Sequence, residues 1–146
     1  MTLHCENISF TDLAGQFGTP LYVYSQSALT EAFCAYTSAF STLSPLVCYA
    51  VKANGNLSLL KHFAALGSGF DIVSGGELAR VLAAGGDAGK TIFSGVGKSE
   101  AEIEFALNAG VLCFNVESLP ELDRINAVAA RLKIGRASCR ERVSSP

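Results

Sequence analysis

The feature that most constrains how this chain can fold is a repeat. Short runs rich in β-branched and aromatic residues lie at Leu46 to Val51, Gly69 to Val73, Thr91 to Ser94 and Val111 to Val116. Their centres fall roughly every 22 residues, and each run is followed by a stretch whose apolar positions have helical spacing. After three of the runs comes an S-x-x-E pattern: Ser74 with Glu77, Ser99 with Glu102, and Ser118 with Glu121. In a capping box the serine accepts from an amide of the first helical turn and the glutamate reaches back to the cap's own amide, so each pattern predicts a helix start. Gly67, Gly85 and Gly110 follow the helical stretches and predict their ends.

Strand, loop and helix in regular alternation predict an α/β fold with a parallel sheet. The period fits a partial (β/α)8 TIM-like barrel, roughly its first four strand–helix units, and a doubly wound open sheet fits it nearly as well. Ahead of the repeat, Leu21 to Tyr24 (LYVY) reads as a strand and Ser27 to Phe40 as an amphipathic helix. The expected division is an N-terminal strand segment over 1–26, a partial barrel domain over 27–133, and a tail over 134–146.

At 146 residues one domain is expected, burying roughly 70% of the surface that the unfolded chain exposes. A net charge of −2 and 16% charged residues speak against a nucleic-acid footprint and point to a small molecule or a protein as partner. No apolar run approaches membrane-span length and no signal peptide is evident, so the cytoplasm is the expected compartment. Five scattered cysteines without a C-x-x-C pair read as reduced thiols, and His4 and His62 stand apart from any ligand cluster, so no metal is expected.

In α/β folds of either kind, functional groups collect at the carboxyl ends of the strands. Lys52 stands there, directly after the first run, between Val51 and Ala53. A free lysine titrates near ~10.4, so holding it half neutral at pH 7 costs about 4.6 kcal/mol. An apolar strand end that favours the neutral amine suits a Schiff-base lysine, while a lysine that snorkels to solvent fits the same spacing. Asp71, set among Phe70, Ile72 and Val73, needs a partner if buried; Lys52 one strand away is the expected one, and amides of the Ser74 to Gly76 loop are the alternative. Ser74 and Glu77 read as a cap rather than as catalytic groups. Gly95 to Ser99 (GVGKS) imitates the end of a phosphate loop, but Ile92 stands where G-x-x-x-x-G-K-[ST] requires glycine, so nucleotide binding is not expected.

Tyr49 to Asn54 (YAVKAN) resembles the cofactor-lysine motif of the barrel-fold pyridoxal-phosphate decarboxylases, in the alanine-racemase-like barrel group, and less that of the racemases themselves. Thr19 to Ser25 (TPLYVYS), Gly67 to Leu78 (GSGFDIVSGGEL), Ile92 to Ser99 (IFSGVGKS) and Cys113 to Ser118 (CFNVES) resemble successive segments of the diaminopimelate decarboxylase branch, in the same order. The resemblance implies an α/β barrel with a C-terminal β domain, working as a homodimer. It further implies pyridoxal 5'-phosphate held covalently by Lys52 and decarboxylation of meso-2,6-diaminopimelate to L-lysine; Asp71, from its place in the second strand run near Lys52, is the second expected cofactor-site residue. The family's stacking histidine, phosphate loop, acidic partner of the pyridine nitrogen and substrate residues are expected beyond the end of this chain, which is then an inactive fragment.

Relatives acting on ornithine, arginine or carboxynorspermidine, a one-domain pyridoxal-phosphate homeostasis protein, and a non-catalytic pyridoxal-phosphate-binding protein are the alternatives. Residues 134–146 (IGRASCRERVSSP) depart from the family pattern and resemble translated sequencing-adapter sequence.

Overall fold

The computed structural model describes residues 3–134, so the tail expected over 134–146 lies, apart from Ile134, outside the described residues. The chain divides into two compact units, Met1–Pro45 and Leu46–Pro146.

The first unit holds a short antiparallel pair, β1 (His4–Cys5) and β2 (Ile8–Ser9), followed by helices α1 (Phe10–Phe17) and α2 (Gln26–Ala39). Ser9 caps α1 by accepting from the Asp12 amide, and Ser25 caps α2 by accepting from the Ala28 amide. Glu6, in the β1–β2 turn at φ 53, also reaches α2: its Oε1 accepts from the Ser27 amide at 2.9 Å and from the Ser25 hydroxyl at 2.9 Å. A carboxylate at a helix N-terminus meets orphan amides and the positive end of the dipole, and these bonds hold Glu6 below its ordinary value. The strand expected at Leu21 to Tyr24 is not formed. Its residues are β-formers by composition, but a strand needs a ladder, and among the described residues none pairs with this segment.

The second unit is the repeat. Strands β3 (Cys48–Ala50), β4 (Gly69–Ile72), β5 (Thr91–Phe93) and β6 (Cys113–Phe114) form a parallel sheet in chain order, separated by α3 (Leu57–Ala65), α4 (Gly75–Ala83) and α5 (Glu100–Ala109), with α6 (Leu119–Arg131) after β6. The pairings Ala50 with Asp71, Asp71 with Ile92 and Ile92 with Cys113 define the register.

Strand side chains alternate between faces. Phe70, Ile72, Thr91, Phe93 and Phe114 are buried, as are Leu59, Leu60 and Phe63 of α3, Leu78 and Val81 of α4, Ile103 and Ala106 of α5, and Ile125, Val128 and Ala129 of α6. The Tyr49 ring stacks on Phe63 at 4.3 Å and Phe93 on Phe114 at 5.7 Å. The core therefore lies between one sheet face and the helices. The other face carries Cys48, Ala50, Asp71, Ile92 and Cys113, none of them buried.

Helices α4, α5 and α6 start where the serines predict: Ser74, Ser99 and Ser118 accept from the amides of Glu77, Glu102 and Glu121. The reciprocal half of the box forms only at Ser99, where Glu102 Oε2 accepts from the cap amide at 3.0 Å. Glu77 takes the Val73 amide instead, and Glu121 the Glu117 amide. Gly67, Gly85 and Gly110 hold φ of 82, 79 and 77, the left-handed turn that ends a helix without a Cβ penalty.

Candidate active site

The carboxyl ends of β3 to β6 open into four loops, and the polar groups of the face opposite the core gather there. Lys52 sits in a single 3-10 turn, Val51–Ala53, directly after β3. Val51 is 1% exposed and anchors the turn in the core. Tyr49 braces its far side, its hydroxyl donating to the Asn54 carbonyl at 3.2 Å, and Arg80 Nη1 of α4 donates to the Gly55 carbonyl at 3.2 Å. The lysine is thus exposed on a turn fixed from three directions. The apolar strand end expected to enclose Lys52 does not: the apolar neighbour Val51 points into the core and the amine is left to solvent.

Asp71 finds a different partner from the one expected. Its Oδ1 accepts from the Ser94 hydroxyl at 2.5 Å, and Ser94 Oγ in turn accepts from Asn115 Nδ2 at 3.0 Å. Among the described residues Lys52 and Asp71 form no ion pair. The correction follows from the register: Ser94 and Asn115 each lie just past a strand on the same alternation as Asp71, whereas Lys52 has left the strand for the 3-10 turn. The result is a chain of side chains, Asn115 to Ser94 to Asp71, spanning the ends of β4, β5 and β6. Asp71 Oδ2 accepts nothing among the described residues and remains a free acceptor. Cys48 shares this face; burial first, then the charge of Asp71 and the neighbouring Cys113, pushes its thiol up, which favours the protonated form.

Behind this chain lies a cation that sequence reasoning passed over. Lys98, the lysine of GVGKS, has a side chain 0% exposed and donates to Glu121 Oε1 at 2.6 Å, to the Gly95 carbonyl at 2.6 Å and to the Asn115 carbonyl at 2.9 Å. All three ammonium donors are spent, so this lysine offers no phosphate contact. Burial raises the Glu121 carboxyl, but the Lys98 hydrogen bond, the Glu117 amide and the charges of Lys98 and Arg124 outweigh it and leave it below its ordinary value. Sequence reasoning also missed Ser94 and Asn115: alternation puts them on one face of their own strands, but only the register brings them to Asp71. The Lys98 pair had a fainter signal, a lysine and a cap glutamate each one loop from neighbouring strands.

For pyridoxal phosphate, the donor set supplies one attachment point, the exposed amine of Lys52, and one free carboxylate oxygen on Asp71. Both suit a cofactor that needs an accessible amine and a hydrogen-bond acceptor, and neither is consumed by the fold.

Residues 26–142 match the family described as pyridoxal-dependent decarboxylase, pyridoxal binding domain. The chain is similar to the diaminopimelate decarboxylase of Neisseria meningitidis serogroup A, with 81% identity over 132 residues, covering 90% of this chain and 32% of that protein. A crystal structure from Aquifex aeolicus superposes with a TM-score of 0.87 at 48% identity, covering 90% of this chain and 33% of that one. The diaminopimelate decarboxylase of Helicobacter pylori, solved with L-lysine, superposes with a TM-score of 0.81 at 45% identity, covering 85% of this chain and 32% of that one. The chain thus spans about a third of the length of the relatives it matches. The repeat is the start of their barrel, and among the described residues no helix is long and apolar enough to cross a membrane. On its lysine motif, its sheet and these matches, the chain belongs to the pyridoxal-dependent decarboxylases, of whose pyridoxal-binding domain it carries the first strand–helix units.

Proposed function

We propose that this segment supplies the cofactor lysine of an enzyme that decarboxylates meso-2,6-diaminopimelate to L-lysine. The observation that carries the reading is the placement of Lys52: an exposed amine on a braced turn at the carboxyl end of a parallel sheet, where this class of fold assembles its chemistry. Pyridoxal phosphate, when bound, supplies the electron sink that accepts the pair left as carbon dioxide departs. The chain's own part is positioning. Tyr49, Val51 and Arg80 fix the turn so that the Lys52 amine is presented with no ion pair to compete for it among the described residues. The Ser94 hydroxyl holds its proton toward Asp71 Oδ1, which turns Oδ2 into a fixed acceptor for a donor on the bound group.

The choice of diaminopimelate rests on the 81% identity to the meningococcal enzyme. In the same reading the complete enzyme is a cytoplasmic homodimer acting on a small amino acid, and residues 27–133 form part of one cofactor-binding barrel domain, with 1–26 as a leading segment; the family match runs on to residue 142, into the stretch read as a non-native tail. Borohydride reduction of the cofactor-loaded full-length protein, followed by peptide mapping, is expected to place the pyridoxyl group on Lys52; a label on Lys61 or Lys98 overturns the assignment.

A further inference from the structure

We propose that the buried Lys98–Glu121 pair is a positioning device for the Asp71–Ser94–Asn115 chain. The two carbonyls that Lys98 holds belong to Gly95, the residue after Ser94, and to Asn115 itself. One ammonium therefore sets the separation of the two loops whose side chains must meet at 3.0 Å to pass a hydrogen bond on to Asp71. The pair is in turn held in place: Glu121 Oε2 takes the Glu117 amide at 2.8 Å, Arg124 Nη1 donates to the Lys98 carbonyl at 3.1 Å, and the ammonium stands 5.6 Å from the Phe93 ring centroid.

Stability alone does not account for such an arrangement. A buried ion pair roughly breaks even against apolar side chains of similar volume, because desolvating both charges cancels most of their attraction. Apolar residues would join α6 to the β5–α5 loop as well. What apolar residues could not do is fix where the Gly95 and Asn115 carbonyls sit. A directional, three-donor contact does so.

The inference rests on the reading that Lys52 and Asp71 serve one cofactor site, and its test separates the two. In the full-length protein, Lys98→Met with Glu121→Leu keeps volume and removes both charges. The expected result is a Tm within a few degrees of the parent or above it, a pyridoxyl label still on Lys52, kcat lowered tenfold or more with KM little changed, and a displaced pH midpoint of the visible cofactor band. Lys98→Met alone strands a buried carboxylate and is expected to lower Tm. Unchanged kcat and band midpoint in the double variant overturn the proposal, and so does a collapse of its Tm, which would make the pair a stability element. A cofactor-free readout stands beside these: the Asn115 side-chain amide protons are expected to exchange faster in the double variant, and protection equal to the parent overturns positioning even if the label shows that Lys52 is not the cofactor lysine.

Discussion

Tyr49 shows how much of the lysine turn depends on one side chain. Its ring stacks on Phe63 at 4.3 Å while its hydroxyl spans five residues to the Asn54 carbonyl, so it serves the core and the site together. Tyr49→Phe keeps the stacking and removes one hydrogen bond, and urea unfolding is expected to show a loss of about 1 kcal/mol. Tyr49→Ala also empties the space beside Phe63, with an expected loss of about 3–5 kcal/mol. A phenylalanine variant as damaged as the alanine one would mean that the hydroxyl, not the ring, carries the contact. At this scale the sequence showed which residues bear chemistry better than which ones meet. Lys52 and Asp71 stand out as charges in apolar runs, a local property. That Asp71 turns to Ser94 depends on the register of three strands and on the chain leaving β3 one residue before Lys52, and neither is a local property.

Among the elements, the loops between strands and helices carry the greater share of specific bonding. Glu102 closes the box at Ser99 and also accepts from the Gly75 amide of α4 at 2.8 Å, so one carboxylate satisfies the starts of two helices. The Gly75 amide first, then the Ser99 hydroxyl and amide, hold this carboxyl below its ordinary 4.5 against a smaller opposing effect of burial. A lowered folded pKa means that the stabilisation is complete above about pH 4.5 and is lost as pH falls through the folded value. Glu102→Gln is therefore expected to cost about 1–2 kcal/mol at pH 7 and progressively less below pH 4.5, measured by urea titrations across pH. A gap that widens in acid would refute this account.

Gly95 offers a second test, since its φ is 92 and an added Cβ would come 3.1 Å from Val73 Cβ. Gly95→Ala is expected to cost about 1–3 kcal/mol in the same assay. Helix starts were legible because a cap is written within four residues. The LYVY segment misled for the complementary reason: Leu21, Tyr22, Val23 and Tyr24 are β-formers by composition, but pairing is decided by what lies alongside.

For the molecule as a whole, the four parallel strands of the second unit leave β3 and β6 as edges of their sheet among the described residues. Open edges invite association between chains. The 146-residue chain alone is expected to scatter light on concentration, and to release no carbon dioxide from meso-diaminopimelate with added pyridoxal phosphate. Turnover abolished by Lys52→Ala would show that this segment carries more of the machinery than its third of the relatives' length implies. The strand order β3-β4-β5-β6 bears on a different matter, the timing of synthesis. A ribosome adding ~5–20 residues per second delivers a unit of roughly 22 residues about every one to four seconds. Because space follows chain order, β4, β5 and β6 each emerge beside the strand translated just before them, and each pairing closes over a single intervening α-helix.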